Sequence, residues 1–228
     1  MPRTRIKICG VRRPQDALAA ADAGVDAIGL AFYPKARRYI DVDTARQILR
    51  MLPAFVTAVG VFVDQDAESI RQVASALNLR HIQLHGHEEP SHVASLREFA
   101  VLKAIKSSRD TLRAELDFWR ESAGSLDLRN LKALVLETPT ASADAPGGTG
   151  QENDWEAIAQ AQRDGAFEGL PPIVAAGGLH PGNVAEVVRR LRPYAVDVSS
   201  GVEEEFGEKS VGKIGEFVGA VGSVRLEK

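Results

Sequence analysis

Eight short runs rich in β-branched and aliphatic residues recur along the chain: RIKIC (5–9), AIGLAF (27–32), FVTAVGVFV (55–63), HIQLH (81–85), VLKAIK (101–106), ALVLE (133–137), PIVAA (172–176) and AVDVSS (195–200). Between them lie stretches whose apolar residues return every three or four positions, among them PQDALAAADAG, DTARQILRML, DAESIRQVASAL, EPSHVASLREFA and GNVAEVVRRLRP. A helix that crosses between two strands returns the chain to the same end of the sheet, so strand–helix alternation makes the strands parallel. Eight such units within 228 residues predict a single-domain α/β fold over 1–228, a closed (β/α)8 barrel of eight parallel strands. The open doubly wound sheet usually has fewer strands.

Side chains alternate between the two faces of a strand, so polar residues of one parity mark a polar face. Lys7 and Cys9 share a face opposite Ile6 and Ile8, and Gln83 and His85 oppose Ile82 and Leu84. Glu137 opposes Leu134 and Leu136, and Asp197 and Ser199 oppose Val196 and Val198. The aliphatic faces belong under the helices and the polar faces inside the barrel. Burying an unpaired polar group costs about 1–3 kcal/mol, so several in one interior predict a site, with a structural polar network as the alternative.

The formal charge of −3 gives no broad basic field, which argues against nucleic acid or an anionic membrane surface and for a small-molecule partner. The single cysteine leaves no internal disulfide and fits a reducing compartment. No apolar run reaches the roughly eighteen residues of a spanning helix, and MPRTRIKICG lacks a signal peptide's apolar stretch, so the expected location is the cytoplasm.

The seventh and eighth runs end in AAGGLHPGN (175–183) and VSSGVEEEF (198–206). In a (β/α)8 barrel the loops after those strands commonly form a phosphate site. Gly177, Gly178 and Gly201 would let backbone N–H groups approach an anion, and a short helix from near Val202 would add its positive end. Tight turns are the alternative use of these glycines. Cys9 ends the first run as a packing residue or, with Lys7 on the same face to lower its pKa, as a thiolate base. The loop YPKARRY (33–39) is a solvated basic loop, or a rim where an arginine fork takes a carboxylate and a tyrosine packs beside an aromatic ring. His85 is a ligand or a base. His81, His85, His87 and His92 lie along one strand and its following segment without a second ligand cluster, so no metal is expected. The polar connection from Thr138 to Asn153 has the length of an active-site lid, with Gly147, Gly148 and Gly150 to let it move; Asp154 after it reads as a helix N-cap.

Taken in order, KICG (7–10), FYPKARRY (32–39), VGVFV (59–63), QLHG (83–86), GGTG…DW (147–155), AAGGLHPGNV (175–184) and VDVSSGVE (196–203) resemble the phosphoribosylanthranilate isomerase family, from the first strand to the eighth. The resemblance implies no cofactor and no metal. It implies an Amadori rearrangement of N-(5-phosphoribosyl)anthranilate to 1-(2-carboxyphenylamino)-1-deoxyribulose 5-phosphate, in tryptophan biosynthesis. It makes Cys9 the general base and Arg38 the ligand of the substrate carboxylate. Gly177, Gly178, Ser200 and Gly201 fall around the phosphate, Asp197 at the sugar hydroxyls, and His85 among the substrate-binding groups. The partner is a small phosphorylated substrate, and the protein is expected to be a monomer or homodimer. One position departs from the family, whose general acid is an aspartate at the end of the sixth strand. This chain has Glu137 there, and it is expected to serve as the acid once burial under a closed lid raises its pKa above about 4.3.

Other phosphate-binding barrels expect other rim groups. A histidine-pathway isomerase would carry an aspartate where this chain has Cys9, an indole-glycerol-phosphate synthase relies on lysines and glutamates, and a pentose-phosphate epimerase needs metal-binding histidines and acids. A barrel that only binds a phosphometabolite is the non-enzymatic alternative, and the glutamate at 137 is the one feature in its favour.

Overall fold

A computed structural model describes residues 3–106, 108–138 and 152–224. Eight parallel strands close into a barrel in chain order: β1 (Arg5–Ile8), β2 (Ala27–Ala31), β3 (Thr57–Phe62), β4 (His81–Leu84), β5 (Ala100–Lys106), β6 (Leu131–Glu137), β7 (Ile173–Ala176) and β8 (Ala195–Val198). The helices that follow them are α1 (Pro14–Asp22), α2 (Val42–Met51), α3 (Ala67–Ala76), α4 (Pro90–Ser95), α5 (Leu112–Ser125), α6 (Trp155–Arg163), α7 (Val184–Leu191) and α8 (Val211–Gly222). Among the described residues no helix is long and apolar enough to cross a membrane.

Local chemistry sets several helix starts. The carboxylates of Asp41, Asp66 and Asp154 accept the N–H groups of Thr44, Ser69 and Ala157 at 2.7, 2.9 and 2.9 Å and so cap the first turns. Asp154 is thus the N-cap that its place before Trp155 predicts. Helix α7 buries Val184, Val187, Val188 and Leu191, the stripe of a 3.6-residue period, against the sheet.

Strand parity divides the interior as expected. Ile6, Ile8, Ile82, Leu84, Leu134, Leu136, Val196 and Val198 join the core between sheet and helices. Inside the barrel a second, smaller cluster of Ala104, Ala133, Val135, Val174, Ala176 and Ala195 forms a floor of short side chains, and the polar residues of the same parity stand at its C-terminal end.

Three features depart from the sequence reading. The stretch from Glu89 to Ala100 is helical only over Pro90–Ser95: Leu96 leaves the helix at φ −108 and ψ 41, and Ala100 already pairs with His81 as the start of β5. The helix expected near Val202 is a single 3-10 turn, Ser200–Val202. It is cut short by a hairpin, β9 (Glu203–Glu205) and β10 (Glu208–Lys209), which turns at Phe206 and Gly207 with Gly207 at φ +77.

Candidate active site

The seam that closes the barrel places Lys7 and Asp197 at the same register on β1 and β8. Both point inward, both are buried, and Lys7 Nζ donates to Asp197 Oδ2 at 2.6 Å. Burial opposes the charge on Lys7, but Asp197 and the Cys9 sulfur outweigh it and push the ammonium pKa up. At Asp197 burial itself prevails over Lys7, and the carboxyl pKa lies above its ordinary value. The second carboxylate oxygen, Oδ1, is buried without a hydrogen-bond partner among the described residues. An acceptor left open in this way is one that a ligand hydroxyl can fill.

Cys9 follows β1 directly. Its sulfur lies over the inner face of β2 at Gly29, where a Cβ would come within 2.7 Å of it, so the absence of a side chain at Gly29 gives the thiol its place. Lys7 does lower the thiol pKa as expected, but the net shift is upward. Burial raises it, Lys7 and Lys209 pull it down, Asp197 pushes it up again, and burial wins.

A second polar chain crosses the mouth of the barrel. Fully buried Gln83 sets its amide nitrogen 2.9 Å from His85 Nδ1, and His85 Nε2 lies 3.2 Å from Glu137 Oε2 at the end of β6. The expected rise in the Glu137 pKa is not found. Burial raises it, but His85, Lys106 and Lys7 together outweigh burial and hold the carboxyl below 4.5. An ionised carboxylate only accepts, so His85 Nε2 carries the hydrogen between them. The lid to which burial was assigned, with Asp144, Gly147, Gly148 and Gly150, lies outside the described residues.

The loops after β7 and β8 meet closely. Gly177 and Gly178 have φ of +95 and +65, in the left-handed region. A Cβ on Gly201 would fall on the Leu179 carbonyl, so the 3-10 turn packs directly on the β7 loop. Asn183 braces that loop: its Oδ1 accepts from the His180 N–H at 2.9 Å and its Nδ2 donates to Gly178 O at 3.0 Å. Ser200 and Gly201 open the turn itself.

Arg38 is neither solvated nor free. It is 8% exposed, and its Nε and Nη2 donate to the two carboxylate oxygens of Glu203 at 2.7 and 2.8 Å. Phe206 of the hairpin lies against the loop, with its ring centroid 4.0 Å from Arg37 Cζ and 4.8 Å from Arg38 Cζ. Asn153 also went unread in the sequence; its Nδ2 donates to Leu136 O and Ala176 O at 3.3 and 3.1 Å, tying the ends of β6 and β7 together. The only signal for Asn153 is its place before a helix cap. Among the described residues no three of His, Cys, Asp or Glu converge as metal ligands.

The chain matches the family model for N-(5'phosphoribosyl)anthranilate (PRA) isomerase over residues 6–220. It is 42% identical to N-(5'-phosphoribosyl)anthranilate isomerase of Hahella chejuensis over 220 residues, 96% of this chain and 94% of that protein. A crystal structure of phosphoribosyl anthranilate isomerase in complex with reduced 1-(o-carboxyphenylamino)-1-deoxyribulose 5-phosphate superposes with a TM-score of 0.79 at 35% identity, covering 97% of this chain and 100% of the other. A structure described as monomers generated from the dimeric enzyme of Thermotoga maritima gives 0.78 at 34% identity, with 97% and 100% covered.

Proposed function

The chain belongs to the N-(5'-phosphoribosyl)anthranilate isomerase family and isomerises phosphoribosylanthranilate in tryptophan biosynthesis, and from that premise we propose which residues do the work. Glu137 is the general acid and Cys9 the general base. The acid delivers a proton to the furanose ring oxygen, the C1′–O bond breaks, and the anthranilate nitrogen supplies the electrons that make an iminium ion. The base then removes the C2′ proton, the electron pair flows back to nitrogen, and the enolamine relaxes to the ketose. The observation that carries this assignment is the inward placement of a thiol after β1 and a carboxylate at the end of β6, with the open oxygen of Asp197 in the same interior.

In the resting protein Glu137 is ionised and Cys9 is a thiol. The reacting form has the opposite arrangement with the same number of protons, so one proton must move within the site. The iminium cation, once formed, favours the thiolate that removes the C2′ proton. Asp197 Oδ1 accepts a sugar hydroxyl, and His85 holds Glu137 toward the substrate. The N–H groups around Gly177, Gly178, Ser200 and Gly201 take the phosphate. Attraction for the anion comes from these turn N–H groups, since the expected helix end is only a 3-10 turn. Arg38 takes the anthranilate carboxylate. The protein works on this small phosphorylated substrate as a monomer or homodimer; the similarity to the enzyme described as dimeric supports the homodimer, and light scattering decides the state.

The direct experiment supplies phosphoribosylanthranilate and follows the loss of its fluorescence. Folded protein that gives no turnover between about pH 6 and 9 overturns the assignment.

A further inference from the structure

We infer that Glu203 is the positioning residue of the carboxylate subsite, and that the β9–β10 hairpin sets the enzyme's selectivity for an aryl amine bearing a carboxylate. The inference rests on the reading of Arg38 as the ligand of that carboxylate. An arginine has five N–H donors on a planar fork. Glu203 takes the edge formed by Nε and Nη2, which leaves the Nη1–Nη2 edge as the side that can receive a second carboxylate.

The rest of the cradle fixes the fork in that attitude. A Cβ on Gly10 would collide with the Arg38 side chain at Cδ, so the glycine lets the arginine stem lie against the β1 loop. Phe206 covers the guanidinium face at 4.8 Å. Lys213 Nζ donates to the Glu203 main-chain oxygen at 2.7 Å and pins the residue that does the gripping.

Charge leads to the same assignment. Two buried cations, Arg38 and Lys209, share the one carboxylate of Glu203. Lys209 has no exposed side-chain surface, and its ammonium donates inward to Glu203 Oε1 and Ser199 O, both at 2.9 Å. The surplus positive charge is therefore offered through Arg38. A lone arginine in this place would lose conformational freedom on binding; one already held by a carboxylate and a ring has lost it beforehand. The same segment, 200–209, begins with the turn assigned to the phosphate, so one piece of chain spaces the two anionic ends of the substrate.

The test compares two inhibitors, reduced 1-(2-carboxyphenylamino)-1-deoxyribulose 5-phosphate and its phenylamino counterpart without the carboxylate. The readout is the ratio of their inhibition constants, which a merely structural loss would leave unchanged. Glu203→Gln should reduce the preference for the carboxylated inhibitor about 10- to 100-fold and raise KM, with kcat nearly unchanged. Arg38→Ala should abolish the preference, and adding Glu203→Gln to it should do nothing more. Phe206→Ala, at the exposed hairpin tip, covers the case of an unfolded Glu203→Gln and should lower the ratio about 3-fold. A folded Glu203→Gln protein with the parent's ratio, or one weakened equally toward both inhibitors, overturns the role of Glu203; an unchanged ratio in Phe206→Ala overturns the hairpin's part in the selectivity. A parent-like ratio in Arg38→Ala overturns the underlying reading of Arg38 instead.

Discussion

Lys7 and Asp197 lie 190 positions apart in the chain, yet they stand at one register across the closing seam, and their charged groups meet at 2.6 Å inside the barrel. Removing one partner of a buried pair leaves an uncompensated charge and costs about 3–5 kcal/mol, whereas replacing both partners is close to neutral. Lys7→Met should therefore lower the unfolding free energy by about that amount, and the double variant Lys7→Met/Asp197→Asn should recover most of it. Chemical denaturation measures both; a single variant as stable as the parent would show that the pair does not carry buried charge.

Cys9→Ala is expected to lower kcat about 10²–10⁴-fold with little change in KM, the usual contribution of a positioned base. Because burial raises the thiol pKa, alkylation of the resting protein should be slow near neutrality and still climbing with pH where an ordinary thiol has levelled off. An alanine variant that keeps most of its kcat would return Cys9 to a packing role.

The depressed Glu137 and raised Cys9 values determine the pH profile. Below the Glu137 pKa, itself under 4.5, the resting enzyme gains a proton and kcat/KM falls with falling pH; above the Cys9 pKa it loses one and kcat/KM falls with rising pH. Between those limits resting and reacting forms differ only in where the proton sits, so Glu137 and Cys9 should leave kcat/KM level through the neutral range once the substrate phosphate's own titration near about 6 is divided out. An infrared carboxyl titration with its midpoint between about 6 and 7, absent from Glu137→Gln, would show a raised carboxyl after all. Glu137→Gln should lower kcat about 10²–10⁴-fold while substrate still binds. Glu137→Asp should also be slower than the parent, because a retreat on the order of 1 Å costs about a hundredfold. A faster aspartate variant would mean that the backbone is not set for the longer side chain.

Helix α8 buries Ile214, Phe217 and Val221 on one face and carries Gly215 and Gly219 on the exposed side, where an added Cβ meets nothing within 4 Å. Alanine at either position should stabilise the protein by about 0.5–1 kcal/mol, since glycine loses more freedom than alanine on entering a helix. Thermal unfolding reads the gain, and a lowered midpoint would show that these positions are not free of contacts.

Most of the architecture was legible in the sequence because it depends on local periodicity. Alternation within RIKIC, HIQLH and AVDVSS placed Lys7, Gln83 and Asp197 inside the barrel, where they lie. The hairpin was not legible: EEEFGEK has no alternating apolar face, and what holds it is Glu203 on Arg38, a partner 165 positions away. The same limit applies to charge. Burial of Glu137 could be anticipated from its strand, but the lowering of its pKa needs His85, which only the closed barrel brings within 3.2 Å. Lys7 was correctly taken as a neighbour of Cys9, but its commitment to Asp197 belongs to the β1–β8 seam and to no pattern in either strand.

That seam also ties the proposed base to closure of the barrel. The Cys9 N–H donates to Val198 O at 2.8 Å, and Ser199 Oγ donates to Cys9 O at 3.0 Å, so the proposed base is held by the last strand to be made. Joining segments so distant in the chain is entropically the most demanding contact in the barrel, although the cost grows only logarithmically with the length enclosed. An unclosed intermediate would leave the Lys7 ammonium without its counter-ion and the inner edges of β1 and β8 unpaired, a state that is both unstable and sticky. Such an intermediate would also lack the seat of its base. With Cys9 as the base, activity requires that the seam between β1 and β8 be closed.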